Sequence, residues 1–180
     1  MMKEFSMHIA DIAQNSVRAG ATKIDVVVEE NSVTDVFLFS VKDNGCGMTQ
    51  ETLKKVRDPF TTSRTTRKVG LGIPMLEQTC IQCGGKLLLE SELGKGTYIE
   101  ATMSLADIDR PPLGDVAGAI QLLIISNLET RITYTHKIDG KEFSIDTDEL
   151  NETLDGVPLN EPEVALWIRD AINEGIAEMR

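Results

Sequence analysis

A chain of 180 residues, 41% hydrophobic and 26% charged, has the composition of one folded domain or a small domain with an appendage, which excludes a disordered tail. Its net charge of −11, from 18 basic and 29 acidic side chains, makes it a poor partner for nucleic acid or anionic lipid. No window is apolar enough for a membrane span and the first residues lack a secretion signal, so the expectation is a cytoplasmic protein whose three cysteines form no disulfide framework.

The acidity is unevenly placed. Residues 1–106 carry 12 basic and 13 acidic side chains, whereas residues 107–180 carry 6 and 16. In chain order, residues 5–18 fit a helix with Phe5, Ile9, Ile12, Ala13, Ser16 and Val17 on one side. His8, Asp11, Asn15 and Arg18 fall within an arc of roughly 80° on the other. Gly20 ends this helix, and Lys23–Glu29 and Val36–Val41 read as strands rich in β-branched and aromatic residues. A turn with two glycines, Asp43 to Met48, leads to a short helix over Thr49–Arg57 with Thr49 as its N-cap.

The segment from Asp58 to Gly70 is rich in Thr, Ser, Arg and Lys and too polar to pack as core. A helix follows over Gly72–Cys83, ended by Gly84 and Gly85, and then two strands, Lys86–Ser91 and Thr97–Ser104. Arg110-Pro-Pro-Leu-Gly114 reads as a boundary. Beyond it, Asp115 caps a helix over Val116–Ser126, and Asp139-Gly140 joins Arg131–Lys137 to Glu142–Asp146 as a hairpin. Val164, Trp167, Ile168, Ala171, Ile172, Ile176 and Met179 recur at helical spacing in Glu161–Met179.

Two nucleotide motifs are excluded by inspection. Gly85-Lys86, Gly94-Lys95 and Gly140-Lys141 are followed by Leu, Gly or Glu, so there is no phosphate loop of the GxxxxGK[ST] type. Neither Gly45-Cys-Gly47 nor Gly70-Leu-Gly72 continues into a dinucleotide fingerprint. What remains is an ordered series: Asp11 and Asn15 one helical turn apart, Asp43-x-Gly45-x-Gly47, a Thr/Arg-rich loop closing on Gly70-x-Gly72, and Gly94-x-Gly-Thr97.

Over residues 5–104 this series resembles the GHKL superfamily of ATP-binding domains, which includes gyrase B subunits, MutL, histidine kinases and anti-sigma serine kinases. Asn15-Ser-Val-Arg-Ala-Gly-Ala21 is most similar to MutL, and Asp58-Pro-Phe-Thr-Thr62 leading into Gly70 is most similar to histidine kinases. The resemblance implies an α+β fold, a two-layer sandwich whose mixed, mostly antiparallel sheet is covered on one face by helices. It also implies bound ATP and Mg²⁺.

By the same resemblance Asn15 is the metal ligand, and Asp11 stands where hydrolytic members carry a glutamate base. A carboxylate and an amide at i and i+4 share one helix face, which suits those tasks. Aspartate is one methylene shorter than glutamate. Arg18 adds positive charge beside the phosphates. Asp43 accepts from the adenine amino group, Gly45 and Gly47 admit the base, and Thr97 backs up Asp43 through its hydroxyl, directly or through water. Thr61, Thr62, Arg67 and Lys68, with Gly70, Leu71 and Gly72 at the start of a helix, make an ATP lid with free N–H groups for phosphate. That lid is short, which favours the kinase branch.

His8 reads as a polar neighbour of the site and not as a phosphoacceptor, because no separate acceptor hairpin precedes residue 5. The pair Cys80 and Cys83 reads as buried thiols instead of half a metal site, and Cys46 as a small filler. Three functions stay open: a histidine kinase-like ATPase or protein kinase acting on a partner protein, an anti-sigma-like serine kinase, and an ATP-gated switch without catalysis. Residues 107–180 read as a separate acidic αβ unit for protein contact, its apolar helix face meeting its own hairpin, a partner or a second copy in a homodimer.

Overall fold

The computed structural model describes residues 2–58, Phe60 and residues 72–180. Among them the order of elements is α1 (Phe5–Arg18), β1 (Lys23–Asn31), β2 (Val36–Asp43), α2 (Gln50–Arg57), α3 (Gly72–Gln82), β3 (Lys86–Glu92), β4 (Gly96–Ser104), α4 (Val116–Ser126), β5 (Arg131–Ile138), β6 (Lys141–Asp146), α5 (Thr147–Leu154) and α6 (Pro162–Met179). The six strands form one sheet in the order β3-β4-β2-β1-β5-β6. Every pairing is antiparallel except β1 with β5. This is the mixed, mostly antiparallel α+β architecture expected.

Period-two alternation decides which side of the sheet is covered. Ile24, Val26 and Val28 of β1, Phe37, Phe39 and Val41 of β2, and Ile132 and Tyr134 of β5 are all buried. Their alternates, such as Asp25, Lys42 and Thr133, are not. The helices pack on the apolar face. Phe5 of α1 stacks on Phe37 with ring centroids 5.1 Å apart and leans on Phe39 at 5.5 Å. On the next turns Ile9, Ile12 and Ala13 continue that contact.

The first N–H groups of α1 have no intrahelical partner, and the residue before the helix, Glu4, supplies no side-chain cap. Two carbonyls from far along the chain satisfy them instead. Phe5 N donates to Pro112 O at 3.0 Å and Ser6 N to Leu113 O at 2.8 Å. Arg110 lies over the Phe37 ring at 4.7 Å and holds the same linker down.

Residues 107–180 are therefore not a separate unit. β5 extends the sheet beside β1 over eight register pairs, α4 packs against α1, and the buried residues on both sides of position 106 form one cluster. The change at 106 is one of charge, not of architecture. The physical reason is that β1 is apolar on its covered face and β2 satisfies only one of its edges, so a second strand is needed on the other.

The hairpin at Asp139-Gly140 forms as expected, with φ of +48° and +84°, as a type I′ turn requires. Asp139 also accepts from Ser32 N at 2.7 Å and Ser32 Oγ at 2.9 Å, tying that turn to the end of β1. Helix α5 is an element that the sequence pattern did not predict.

Candidate active site

One end of α1 and the facing ends of β2 and β4 enclose a cavity of about 270 Å³. Its walls are apolar, with Ile12, Val41, Val56, Ile73 and Ile99. Asp43, Ser16 and Thr97 supply polar groups at its floor. Asp43 is the last residue of β2 and pairs in register with Thr97, the second residue of β4. That pairing is why two residues far apart in sequence meet.

The Asp43 carboxylate is held at both oxygens. Gly45 N donates to Oδ1 at 2.9 Å, closing a turn, and Ser16 Oγ donates to Oδ2 at 2.5 Å. Thr97, expected to back up Asp43 directly or through water, lines the same cavity. Its Oγ1 lies 2.8 Å from Ser91 Oγ, which also accepts from Met48 N at 2.8 Å and donates to Gly96 O at 3.0 Å. The residue beside Asp43 is Ser16, which sequence reasoning missed. Its place on the buried face of α1 made it look like core, and its signal was a hydroxyl directly after Asn15.

Gly45 and Gly47 are needed by the protein itself. A Cβ at Gly45 would lie 2.9 Å from Ala19 Cβ and 3.1 Å from Asp43 Oδ1. At Gly47, where φ is +67°, a Cβ would fall 2.0 Å from Glu92 O. The loop is thus pressed between α1 and the β3–β4 turn. Cys46 N donates to Ala19 O at 2.9 Å, and Gly94 N to Cys46 O at 2.7 Å.

Along α1, away from Asp43, come Asn15 and then Asp11. Asn15 is half-buried, and its Oδ1 accepts from the exposed Arg18 Nη1 at 3.3 Å. Arg18 itself lines the cavity with Asn15. Asp11 is exposed, and its Oδ2 is 3.4 Å from where a Cβ on Gly72 would stand, so the carboxylate faces the first turn of α3. His8, one turn further, is buried at 8% exposure. Burial pushes its imidazole below the ordinary value, and nearby Asp11 opposes this.

Thr61, Thr62, Arg67, Lys68, Gly70 and Leu71, on which the expected lid rests, lie outside the described residues. Cys80 and Cys83 are buried free thiols, and burial pushes Cys80 up to about 12. Among the described residues, no three His, Cys, Asp or Glu side chains are grouped to hold a metal. No helix is long and apolar enough to cross a membrane.

The model of the histidine kinase-, DNA gyrase B-, and HSP90-like ATPase family matches residues 4–107. A putative sensor protein of Shewanella frigidimarina is 35% identical over 103 residues, which are 56% of this chain and 16% of that one. Sporulation kinase E of Bacillus subtilis is 39% identical over 69 residues, 38% of this chain and 9% of the kinase. The chain thus spans less than a fifth of either relative. Among solved structures, the Aquifex aeolicus MutL ATPase domain complexed with ADP shares the fold, with a TM-score of 0.50 and 17% identity over 86% of this chain and 70% of that one.

Proposed function

Because the chain belongs to the family of histidine kinase-, DNA gyrase B-, and HSP90-like ATPases, we propose that it binds Mg·ATP in the cavity beside α1 and directs the terminal phosphoryl group to a partner protein. The observation that carries this reading is Asp43, held at both oxygens at the floor of an apolar cavity. An acceptor so placed takes the amino group of adenine and has nothing to offer the carbonyl of guanine. Apolar walls suit the faces of a purine.

From that end the residues run along one helix in the order the nucleotide needs. Asn15 and Arg18 lie where the phosphates leave the cavity, and Asp11 one turn beyond, where it would take the proton of an attacking hydroxyl or water. The donor set fits Mg²⁺. Asn15 offers a neutral oxygen, and a magnesium ion arriving with phosphates and keeping its waters needs no cage of protein carboxylates. When bound, it would neutralise phosphate charge. Arg18 must then release Asn15 Oδ1, which its exposure and 3.3 Å contact allow.

The relatives named as sensor protein and kinase support a partner protein as acceptor. The test is the Asp11→Asn variant with radiolabelled ATP. Nucleotide affinity should stay near wild type while hydrolysis and transfer fall by about 10²–10⁴-fold. Unchanged turnover would remove Asp11 from the chemistry. Acid-labile label on a partner marks transfer to histidine and acid-stable label marks a serine kinase. Tight binding without turnover in the wild type leaves the ATP-gated switch.

A further inference from the structure

We propose that Ser16 is the positioning residue for adenine selectivity: its hydroxyl fixes the plane of the Asp43 carboxylate so that a free lone pair faces the cavity. This rests on the nucleotide reading above.

A carboxylate turns about its last bond unless both oxygens are held, and Asp43 sits where a small rotation would aim its lone pairs at apolar walls. Gly45 N–H holds Oδ1. For Oδ2 the hydroxyl in contact is that of Ser16, which has one hydrogen to give. Thr97, the register partner of Asp43, has its Oγ1 2.8 Å from Ser91 Oγ, a contact in which either hydroxyl can give the hydrogen.

Ser16 has two candidate acceptors, Ile12 O at 3.3 Å and Asp43 Oδ2 at 2.5 Å. The shorter, charge-assisted bond takes the hydrogen. Ser16 is 3% exposed, so water does not replace it. Its backbone position is fixed by α1, and it follows Asn15 directly. One turn of one helix therefore sets both the reading of the base and the holding of the phosphates.

The test compares two ligands, ADP and the purine riboside diphosphate that lacks the exocyclic amino group, by calorimetry on wild type and Ser16→Ala. In the wild type ADP should bind more tightly. In Ser16→Ala that preference should shrink about tenfold or more, the weight of a hydrogen bond to a charged group. Affinity for the amino-free ligand should hold, and it doubles as the control that the variant is folded. Should the alanine variant fail to fold, Ser16→Cys, of the same shape and a weak donor, takes its place. An undiminished ADP preference in a folded variant overturns the Ser16 assignment and leaves the nucleotide reading standing. Failure of the wild type to bind ADP overturns both.

Discussion

Adding one methyl group at Gly47 and, separately, at Gly94 isolates the cost of crowding at the site loop. Both residues have positive φ, +67° and +81°. An alanine in that region costs about 1–2 kcal/mol at either position. Each substitution also stiffens the unfolded chain, which returns about 0.4–1 kcal/mol. The difference lies in the surroundings: nothing stands within 4 Å of a Cβ at Gly94, whereas at Gly47 it would fall 2.0 Å from the Glu92 carbonyl oxygen and 2.7 Å from its carbon. Backbone cannot rotate away, so overpacking adds about 1–3 kcal/mol. At about 2–4 °C per kcal/mol for a domain of this size, Gly47→Ala should melt roughly 2–12 °C below Gly94→Ala. Thermal unfolding followed by circular dichroism reads the difference. If the two variants melt together, the loop has room to give, and its close seat between α1 and the β3–β4 turn is wrong.

Two further outcomes are expected. Glu30 accepts from the buried His136 Nε2 at 2.9 Å, a bond that, with Arg180 beside it, holds the Glu30 carboxyl below its ordinary value of 4.5. A depressed folded value adds stability above 4.5 that is lost as pH falls through it. Urea midpoints of wild type and Glu30→Gln should therefore differ most at neutral pH and converge on acidification; a constant gap would dismiss the ionic contribution. A chain ending at Ala106 loses β5 from β1 and the carbonyls that cap α1. It should unfold without a cooperative transition and bind no nucleotide, and a sharp melt would restore the separate-unit view.

Most elements could be read from local pattern because local physics makes them. Residues 5–18 form one helix because Phe5, Ile9, Ile12 and Ala13 fall on one face, and Thr49 caps α2 by accepting from Thr52 N at 3.2 Å. Asp139-Gly140 turned as read. What local pattern could not carry was the partner of β1's second edge, since a parallel pairing leaves no turn signal between its strands. Helix α5 escaped because it buries only Thr147 and Leu150, too few for a periodic stripe. Asn15, Asp43 and Gly47, singled out by their spacing, line one cavity in the fold. Ser16 was hidden because a buried serine on an apolar face looks like filler, and the contact of Thr97 with Ser91 was not legible because no motif marks Ser91.

The parallel seam between β1 and β5 also sets the order of events in folding. Lys23 pairs with Arg131 and Glu30 with Ile138, so each contact spans more than a hundred residues of chain. At ribosomal rates of about 5–20 residues per second, β1 waits roughly 5–20 s for its neighbour. Until then Val26 and Val28 stand in a strand with one open edge, next to a helix whose first N–H groups lack the carbonyls of Pro112 and Leu113. Helix α1 is made well before the linker whose carbonyls cap it. Closing so long a loop is slow, and during that interval a nascent chain is most exposed to pairing with a second copy of itself.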